Sequence, residues 1–257
     1  MGTYYDPAWI ATAFLGWRRG AKDKIEAIKA GLENGVLFVD TAEIYGSEPL
    51  VADAIKGTKR ENLFLATKVS PNHLHREALI SAFDKSLKRL GTSYIDLYQA
   101  HWPNPRVPIQ ETMGAMEQLI GEGKLMYAGV SNFNLRRLVE AQSALPKSEL
   151  ASVQLDYSLV HRNVERDILP HCDKEGIALL AYYPLGHGKL ISDPRLDPVS
   201  TRHGKTRAQV ALRWLAEKPN VFPIPRASQS RHVIDNAGES GWELPEQDKA
   251  ELDQIYR

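Results

Sequence analysis

The chain has 257 residues, and 32 lysines and arginines balance 32 aspartates and glutamates, so the formal net charge is zero. Hydrophobic residues make up 43% and charged residues 25%, the balance of an ordinary soluble domain, which excludes a disordered tail, a collagen-like fibre and a disulfide miniprotein. Zero net charge also argues against a nucleic-acid partner, because counterion release needs clustered basic residues.

From the N-terminus, Met1-Gly2-Thr3-Tyr4-Tyr5-Asp6 has no basic start followed by an apolar stretch, so no secretory signal is expected there. Short apolar, β-branched runs then alternate with helical periodicity to the end of the chain. The expected strands are 36–40, 63–69, 94–100, 125–130, 152–155, 177–183 and 221–225. Between them, apolar residues recur at helical spacing. Ile25, Ile28 and Leu32 form the first such set, and Leu79, Phe83, Leu87 and Leu90 the second. Ile109, Met113, Met116 and Ile120 follow, then Leu135, Leu138 and Val139, then Val164 with Ile168, and Val210 with Trp214. Asn134 and Asn163 stand where helix N-caps are expected, and Gly35, Gly91, Gly123 and Gly176 where helices stop. A last helix is expected over 247–256.

A long run of strand–helix units in about 250 residues is what a (β/α)8 TIM barrel requires, and no linker divides it, so one barrel domain over residues 1–257 is expected. An open doubly wound sheet competes, but it usually carries a glycine-rich turn after its first strand, and G-x-G-x-x-G is absent here. Gly186-His187-Gly188-Lys189 is only a fragment of that pattern. Seven strands follow residue 35, so the first barrel strand must be Met1-Gly2-Thr3, short or truncated. No apolar run approaches the roughly 18–20 residues of a membrane span. The one cysteine, Cys172, reads as buried helix packing rather than a nucleophile and leans towards a reducing, cytoplasmic setting. The eight histidines form no H-x-H or H-E-x-x-H pattern, so no metal site is expected.

In such a barrel, chemistry sits at the C-terminal ends of the strands. Those ends carry Asp40, with Tyr45 in the following loop, then Lys68, His101-Trp102-Pro103, Ser131-Asn132, Gln154, Tyr182 and Arg226. Singly, each has a plain structural explanation: a turn-forming aspartate, a snorkelling lysine, a hydrogen-bonded histidine, a packed tyrosine. Together they suit one reaction. A tyrosine hydroxyl normally has a pKa near 10, and a nearby ammonium favours its phenolate. An aspartate holds that ammonium, and a neutral histidine orients a carbonyl oxygen. Tyr45 would then protonate a carbonyl as its carbon accepts a hydride, which no side chain can supply, so a cofactor must.

The segments Phe38-Val39-Asp40-Thr41-Ala42-Glu43-Ile44-Tyr45-Gly46-Ser47-Glu48, Ala66-Thr67-Lys68-Val69 and Leu87-Lys88-Arg89-Leu90-Gly91 through Tyr94-Ile95-Asp96-Leu97-Tyr98 resemble those of an aldo-keto reductase. So do His101-Trp102-Pro103, Gly129-Val130-Ser131-Asn132-Phe133, Ala181-Tyr182-Tyr183-Pro184-Leu185-Gly186 and Ile224-Pro225-Arg226. The match runs in order along essentially the whole chain. The resemblance implies a (β/α)8 barrel binding NADPH in extended form and a catalytic tetrad of Asp40, Tyr45, Lys68 and His101. It assigns Ser131, Asn132 and Gln154 to the nicotinamide carboxamide, Tyr182 to stacking on the ring, and Leu185 and Gly186 to the pyrophosphate. Arg226 would face the 2′-phosphate, with Ser228 and Asn236 adding contacts to phosphate and adenine. Ala227 replaces a serine common in the family and His232 an arginine, so NADPH is favoured with NADH use allowed.

Tyr4, Trp9, Trp17 and Trp102 are expected to wall the substrate mouth, which suits small-molecule carbonyl substrates. Animal members often extend beyond the point matching Arg257 and cover the pocket, so an open pocket with broad specificity towards small aldehydes and ketones is expected, in a monomer or small homo-oligomer. The alternative is a cofactor-binding regulatory or redox-sensing subunit with little turnover, like the related potassium-channel β-subunits, which also keep catalytic residues. A phosphate-handling barrel without a nicotinamide has no glycine-rich phosphate turn to support it.

Overall fold

The computed structural model describes residues 1–3 and 20–257. Seven strands form one parallel sheet in sequential order: β1 (Phe38–Asp40), β2 (Phe64–Val69), β3 (Ile95–Ala100), β4 (Leu125–Ser131), β5 (Leu150–Asp156), β6 (Ala178–Tyr182) and β7 (Val221–Pro223). Each expected strand is present, with ends shifted by two residues or fewer. The helices are α1 (Ala21–Glu33), α2 (Glu48–Ala54), α3 (Arg76–Leu90), α4 (Ile109–Gly121), α5 (Leu135–Ser143), α6 (Ile168–Glu175), α7 (Asp197–His203), α8 (Arg207–Ala216), α9 (Ser230–Ala237) and α10 (Glu246–Ile255).

The short N-terminal strand closes the ring. Gly2 bridges in parallel to Asp40 on one side and to Arg226 on the other. The bonds are backbone only: Gly2 N donates to the Pro225 carbonyl at 3.2 Å, Asp40 N to the Met1 carbonyl at 2.8 Å, and Thr3 N to the Asp40 carbonyl at 2.9 Å. The fold is therefore the (β/α)8 barrel expected, its first strand reduced to a single ladder position.

Strand alternation sorts the residues. Outward positions such as Val39, Leu65, Val69, Tyr98, Val130 and Val153 are buried beneath the helices. The helices turn their apolar stripes to meet them: Leu79, Phe83 and Leu90 of α3, and Met113, Met116 and Leu119 of α4, are fully or almost fully buried. Inward positions form layers. Phe38, Phe64, Leu97, Leu180 and Phe222 line an apolar hollow at the N-terminal end of the strands. One pleat or two further along the same face come Asp40, Lys68, Gln154 and Tyr182, at the opposite end. The lumen thus passes from apolar to polar along the strand direction, as the period-two pattern requires.

Asn134 caps α5 through its side chain, which accepts from Arg137 N at 3.0 Å. Gly91 and Gly176 end α3 and α6 in the left-handed region at φ 65° and 69°, where a side chain would be strained. Asn163 is not a cap. It opens a 3-10 turn, Asn163–Arg166, that precedes α6, and Arg162 occupies the capping position without a side-chain bond. Cys172 is buried in α6 and burial pushes its thiol up to about 12, so it packs rather than attacks. Among the described residues no helix is long and apolar enough to cross a membrane.

Two parts of the quoted motifs serve the scaffold. Asp96 faces outward on β3, takes Arg60 Nη2 at 2.5 Å and accepts from Leu65 N at 2.8 Å, pinning the entry to β2. Glu48, 1% exposed, is held by Arg89 Nε at 2.5 Å and Thr67 Oγ1 at 2.8 Å, which docks α2 between β2 and α3.

Candidate active site

The register of the first strands places the tetrad. Asp40 pairs with Ala66, so Lys68 lies one pleat further on the same inward face. Lys68 pairs with Gln99, so His101 follows one pleat beyond that. Lys68 is fully buried, and its Nζ donates to Asp40 Oδ2 at 2.6 Å and to the Thr41 carbonyl at 2.8 Å. Burial lowers the lysine pKa, while the Asp40 carboxylate raises it and is the partner that sustains the charge.

Tyr45 is delivered by a 3-10 turn, Glu43–Tyr45, that stops at Gly46 with φ 63°. That turn is tied on both sides. Glu43 accepts from Ser70 N at 2.9 Å and pairs with His73 at 2.7 Å. Ser47 shares hydroxyl bonds with Thr41 and Thr3 at 2.9 and 3.0 Å. The result sets the Tyr45 hydroxyl 3.3 Å from His101 Nε2, with the Lys68 ammonium 4.9 Å from the centre of the Tyr45 ring. His101 N donates to the Val69 carbonyl, and its own carbonyl accepts from Asn132 Nδ2 at 2.9 Å, so its backbone is fixed from both sides. Burial first, then the Lys68 charge, pushes the imidazole pKa down to about 2, so it is neutral. Its buried Nδ1 has no hydrogen-bond partner among the described residues. Trp102 stacks on the imidazole with ring centres 3.9 Å apart.

The opposite wall is joined to the same network. Gln154 Nε2 donates to Asp40 Oδ1 at 3.0 Å, so one carboxylate holds Lys68 with one oxygen and Gln154 with the other. The Gln154 carbonyl accepts from Ser131 Oγ and from Asn132 N, each at 3.0 Å. Asn132 sits in the left-handed region at φ 63°, a conformation asparagine tolerates better than most residues. Its amide bridges the His101 carbonyl and Ser131 Oγ, and its Oδ1 accepts from Tyr182 OH at 2.8 Å. Burial, then the Asp156 charge, pushes the Tyr182 phenol up to about 12. Tyr182 therefore keeps its proton and donates a hydrogen bond with it, a role distinct from that of Tyr45.

These side chains surround one cavity of about 310 Å³. Asp40, Tyr45, His101, Trp102, Ser131, Asn132, Gln154, Tyr182 and Arg226 all line it; Lys68 does not, being fully buried, paired to Asp40 and set against the Tyr45 ring. Among the described residues the lining does not include Leu185, Gly186, Ser228 or Asn236. Leu185 packs on the core, and Asn236 lines a separate hollow with Ala227 and Val233. Tyr4, Trp9 and Trp17 lie outside the described residues. Sequence reasoning passed over Ile44, Tyr183, Ile224 and Gly2, which also line the cavity. Tyr183 had a signal, standing next to Tyr182 at a strand end; Gly2 lines it with backbone and had none.

The donor set fits a nicotinamide cofactor. A serine, an asparagine and a glutamine amide match a carboxamide, the Tyr182 and Tyr183 rings offer flat apolar faces, and a guanidinium stands at one edge for an anionic group. The class of molecule these features define is a barrel oxidoreductase with its ionisable and polar groups gathered at the carboxyl ends of the strands. The family model for the Aldo/keto reductase family matches residues 12–257, and the chain belongs to that family. It is 35% identical over 243 residues to methylglyoxal reductase YeaE of Escherichia coli (strain K12), covering 91% of this chain and 85% of that protein. It is 34% identical over 234 residues to glyoxal reductase of Bacillus subtilis (strain 168), covering 90% and 83%. Among solved structures, an aldo/keto reductase from Klebsiella pneumoniae in complex with NADP and acetate superposes with a TM-score of 0.87, at 33% identity, over all of this chain and 90% of that one.

Proposed function

We propose that the protein reduces small aldehydes or ketones to alcohols with NADPH, with Tyr45 as the proton donor. The observation that carries this reading is the Tyr45 hydroxyl held 3.3 Å from a neutral imidazole and beside a buried ammonium. When bound, the reduced nicotinamide supplies the hydride. Ser131 and Gln154 would hold its carboxamide, and Asn132 would join them by releasing Tyr182, whose ring then stacks on the nicotinamide. Arg226 would take the 2′-phosphate through its planar fork. The Arg226 charge is also felt by Lys24, whose pKa falls through burial first and then through that charge, so two cations mark this corner. Leu185, Gly186, Ser228 and Asn236 are proposed to complete the pyrophosphate and adenosine contacts.

The chain's own groups do the rest. His101 Nε2 and the Tyr45 hydroxyl converge on the space where a carbonyl oxygen sits, and Trp102 with Ile44 forms the apolar wall beside it. As negative charge develops on that oxygen, Tyr45 delivers its proton. The Lys68 ammonium lies within the range at which it favours the phenolate left behind, and Asp40 keeps that ammonium in place. Two relatives named as methylglyoxal and glyoxal reductases support 2-oxoaldehydes as the first substrates to assay.

The test is NADPH oxidation by the purified protein with methylglyoxal, glyoxal and simple aldehydes and ketones. Turnover above about 1 per second, near the low end of ordinary enzymes, is expected with at least one of them. Tight NADPH binding with negligible turnover across the panel would favour the regulatory-subunit reading instead.

A further inference from the structure

Outside the tetrad, β5 and β6 bring together three side chains that the mechanism does not use. Asp156 ends β5, in register with Tyr182 of β6. His161 follows in a tight turn, where Ser158 and His161 exchange backbone hydrogen bonds of 3.1 Å each. His187 comes from the loop after β6, its backbone in the left-handed region at φ 55° and its ring centre 3.8 Å from that of Tyr183. Tyr183 is itself left-handed, at φ 49°. A bulky residue adopts that region rarely and at a cost, so two in one loop mean that packing dictates where His187 points. It points at Asp156.

His161 Nδ1 lies 3.0 Å and His187 Nε2 3.4 Å from Asp156 Oδ2, and the three ligand atoms are all within 4.8 Å of one another. Bonds of about 2.0–2.1 Å to zinc in a tetrahedral site set neighbouring ligands about 3.3 Å apart. Two edges of such a site are therefore already near length. Asp156 Oδ1 is buried without a hydrogen-bond partner, so the carboxylate has capacity that nothing in the fold uses. The imidazole edges stay open to solvent, with His161 37% and His187 46% exposed, which provides an entry path.

We propose that Asp156, His161 and His187 form a binding site for a divalent transition-metal ion of the zinc class. Two imidazoles and one carboxylate suit zinc, whereas calcium and magnesium call for all-oxygen sets. To bind the ion, each ring presents the lone pair of the named nitrogen and carries its proton on the other ring nitrogen. The ion ties the loop after β5 to the loop after β6. Because His187 packs on Tyr183, which lines the cavity, the ion sits against the mouth of the active site and not within it.

The experiment is competition for Zn2+ between the purified protein and a chromophoric chelator in a non-coordinating buffer. One Zn2+ per chain is expected, and His161→Gln or His187→Gln should each weaken it by about 100-fold, at least the upper end of the loss caused by removing a supporting group around a metal. Imidazole NMR of the unsubstituted protein gives a readout independent of variant folding: Zn2+ should shift the signals of two of the eight histidines. Absence of binding, variants that bind Zn2+ as tightly as the parent, or perturbation of a different histidine pair would overturn the proposal.

Discussion

Replacing Tyr45 with phenylalanine removes one oxygen atom from the centre of the pocket. That oxygen lies 3.3 Å from His101 Nε2, a long hydrogen bond whose loss costs about 0.5–1.5 kcal/mol. The ring, its T-shaped contact with His101 and its place over the Lys68 ammonium remain. Stability should therefore fall by no more than that order, and cofactor affinity should hold, because the cofactor contacts are assigned to other side chains, Ser131, Gln154 and Arg226. Chemistry should not survive. A positioned general acid contributes about 10²–10⁴-fold, or about 3–5 kcal/mol of transition-state stabilisation. Tyr182 is a poor substitute, since burial and then the Asp156 charge push its phenol up to about 12 and its ring is assigned to stacking on the nicotinamide. The assay is kcat for carbonyl reduction alongside NADPH affinity by fluorescence titration. A loss confined to kcat is expected; a variant with more than a tenth of the parental kcat would refute Tyr45 as proton donor.

Lys68→Met strips Asp40 of its ammonium and leaves a carboxylate 2% exposed, which should cost about 3–5 kcal/mol in urea unfolding, beyond the loss of activity. His101 is neutral when folded because its pKa is depressed to about 2 from an ordinary 6.5, so the unfolded chain binds the extra proton. Its contribution to stability is fully present above pH 6.5 and is lost as pH falls towards 2, at up to about 1.4 kcal/mol per pH unit. Unfolding curves at pH 7 and pH 5 should show this loss, and His101→Gln should flatten it. Arg226→Ala should weaken NADPH by about 10- to 100-fold, the worth of a charged hydrogen bond, and NADH much less; equal losses would mean that Arg226 does not read the phosphate. Gly129→Ala places a methyl group against Ser152 Oγ and Gln99 inside the barrel and should destabilise by about 1–3 kcal/mol in thermal unfolding.

The sequence carried much of this architecture in its own periodicities. The strands were legible because parallel strands buried under helices read as short β-branched runs, and the helices because residues such as Leu79, Phe83 and Leu90 recur on one face. The convergence of Asp40, Tyr45, Lys68 and His101 was legible because polar residues at strand ends have no packing reason to coincide. Closure through Gly2 was harder to see, since three residues show no alternation and its bonds are backbone only. Asn163 was misplaced as a cap because asparagine suits a turn as readily as a helix start, and only the 3-10 segment distinguishes them. Asn236 falls beside a different hollow from the cavity, a matter of helix packing that spacing along the chain does not encode. His161 and His187 are 26 positions apart, and they meet only because β5 and β6 are neighbours in the sheet.

The proposed reaction joins hydride delivery at carbon to proton delivery at oxygen within this one pocket. It is tested most directly by running the reduction of methylglyoxal with NADPH carrying deuterium at the transferring position of the nicotinamide and analysing the alcohol by NMR. One deuterium on the new carbinol carbon, in a single stereochemical sense, is the result the pocket geometry predicts. An alcohol without that deuterium, or one formed as a racemate, would contradict it.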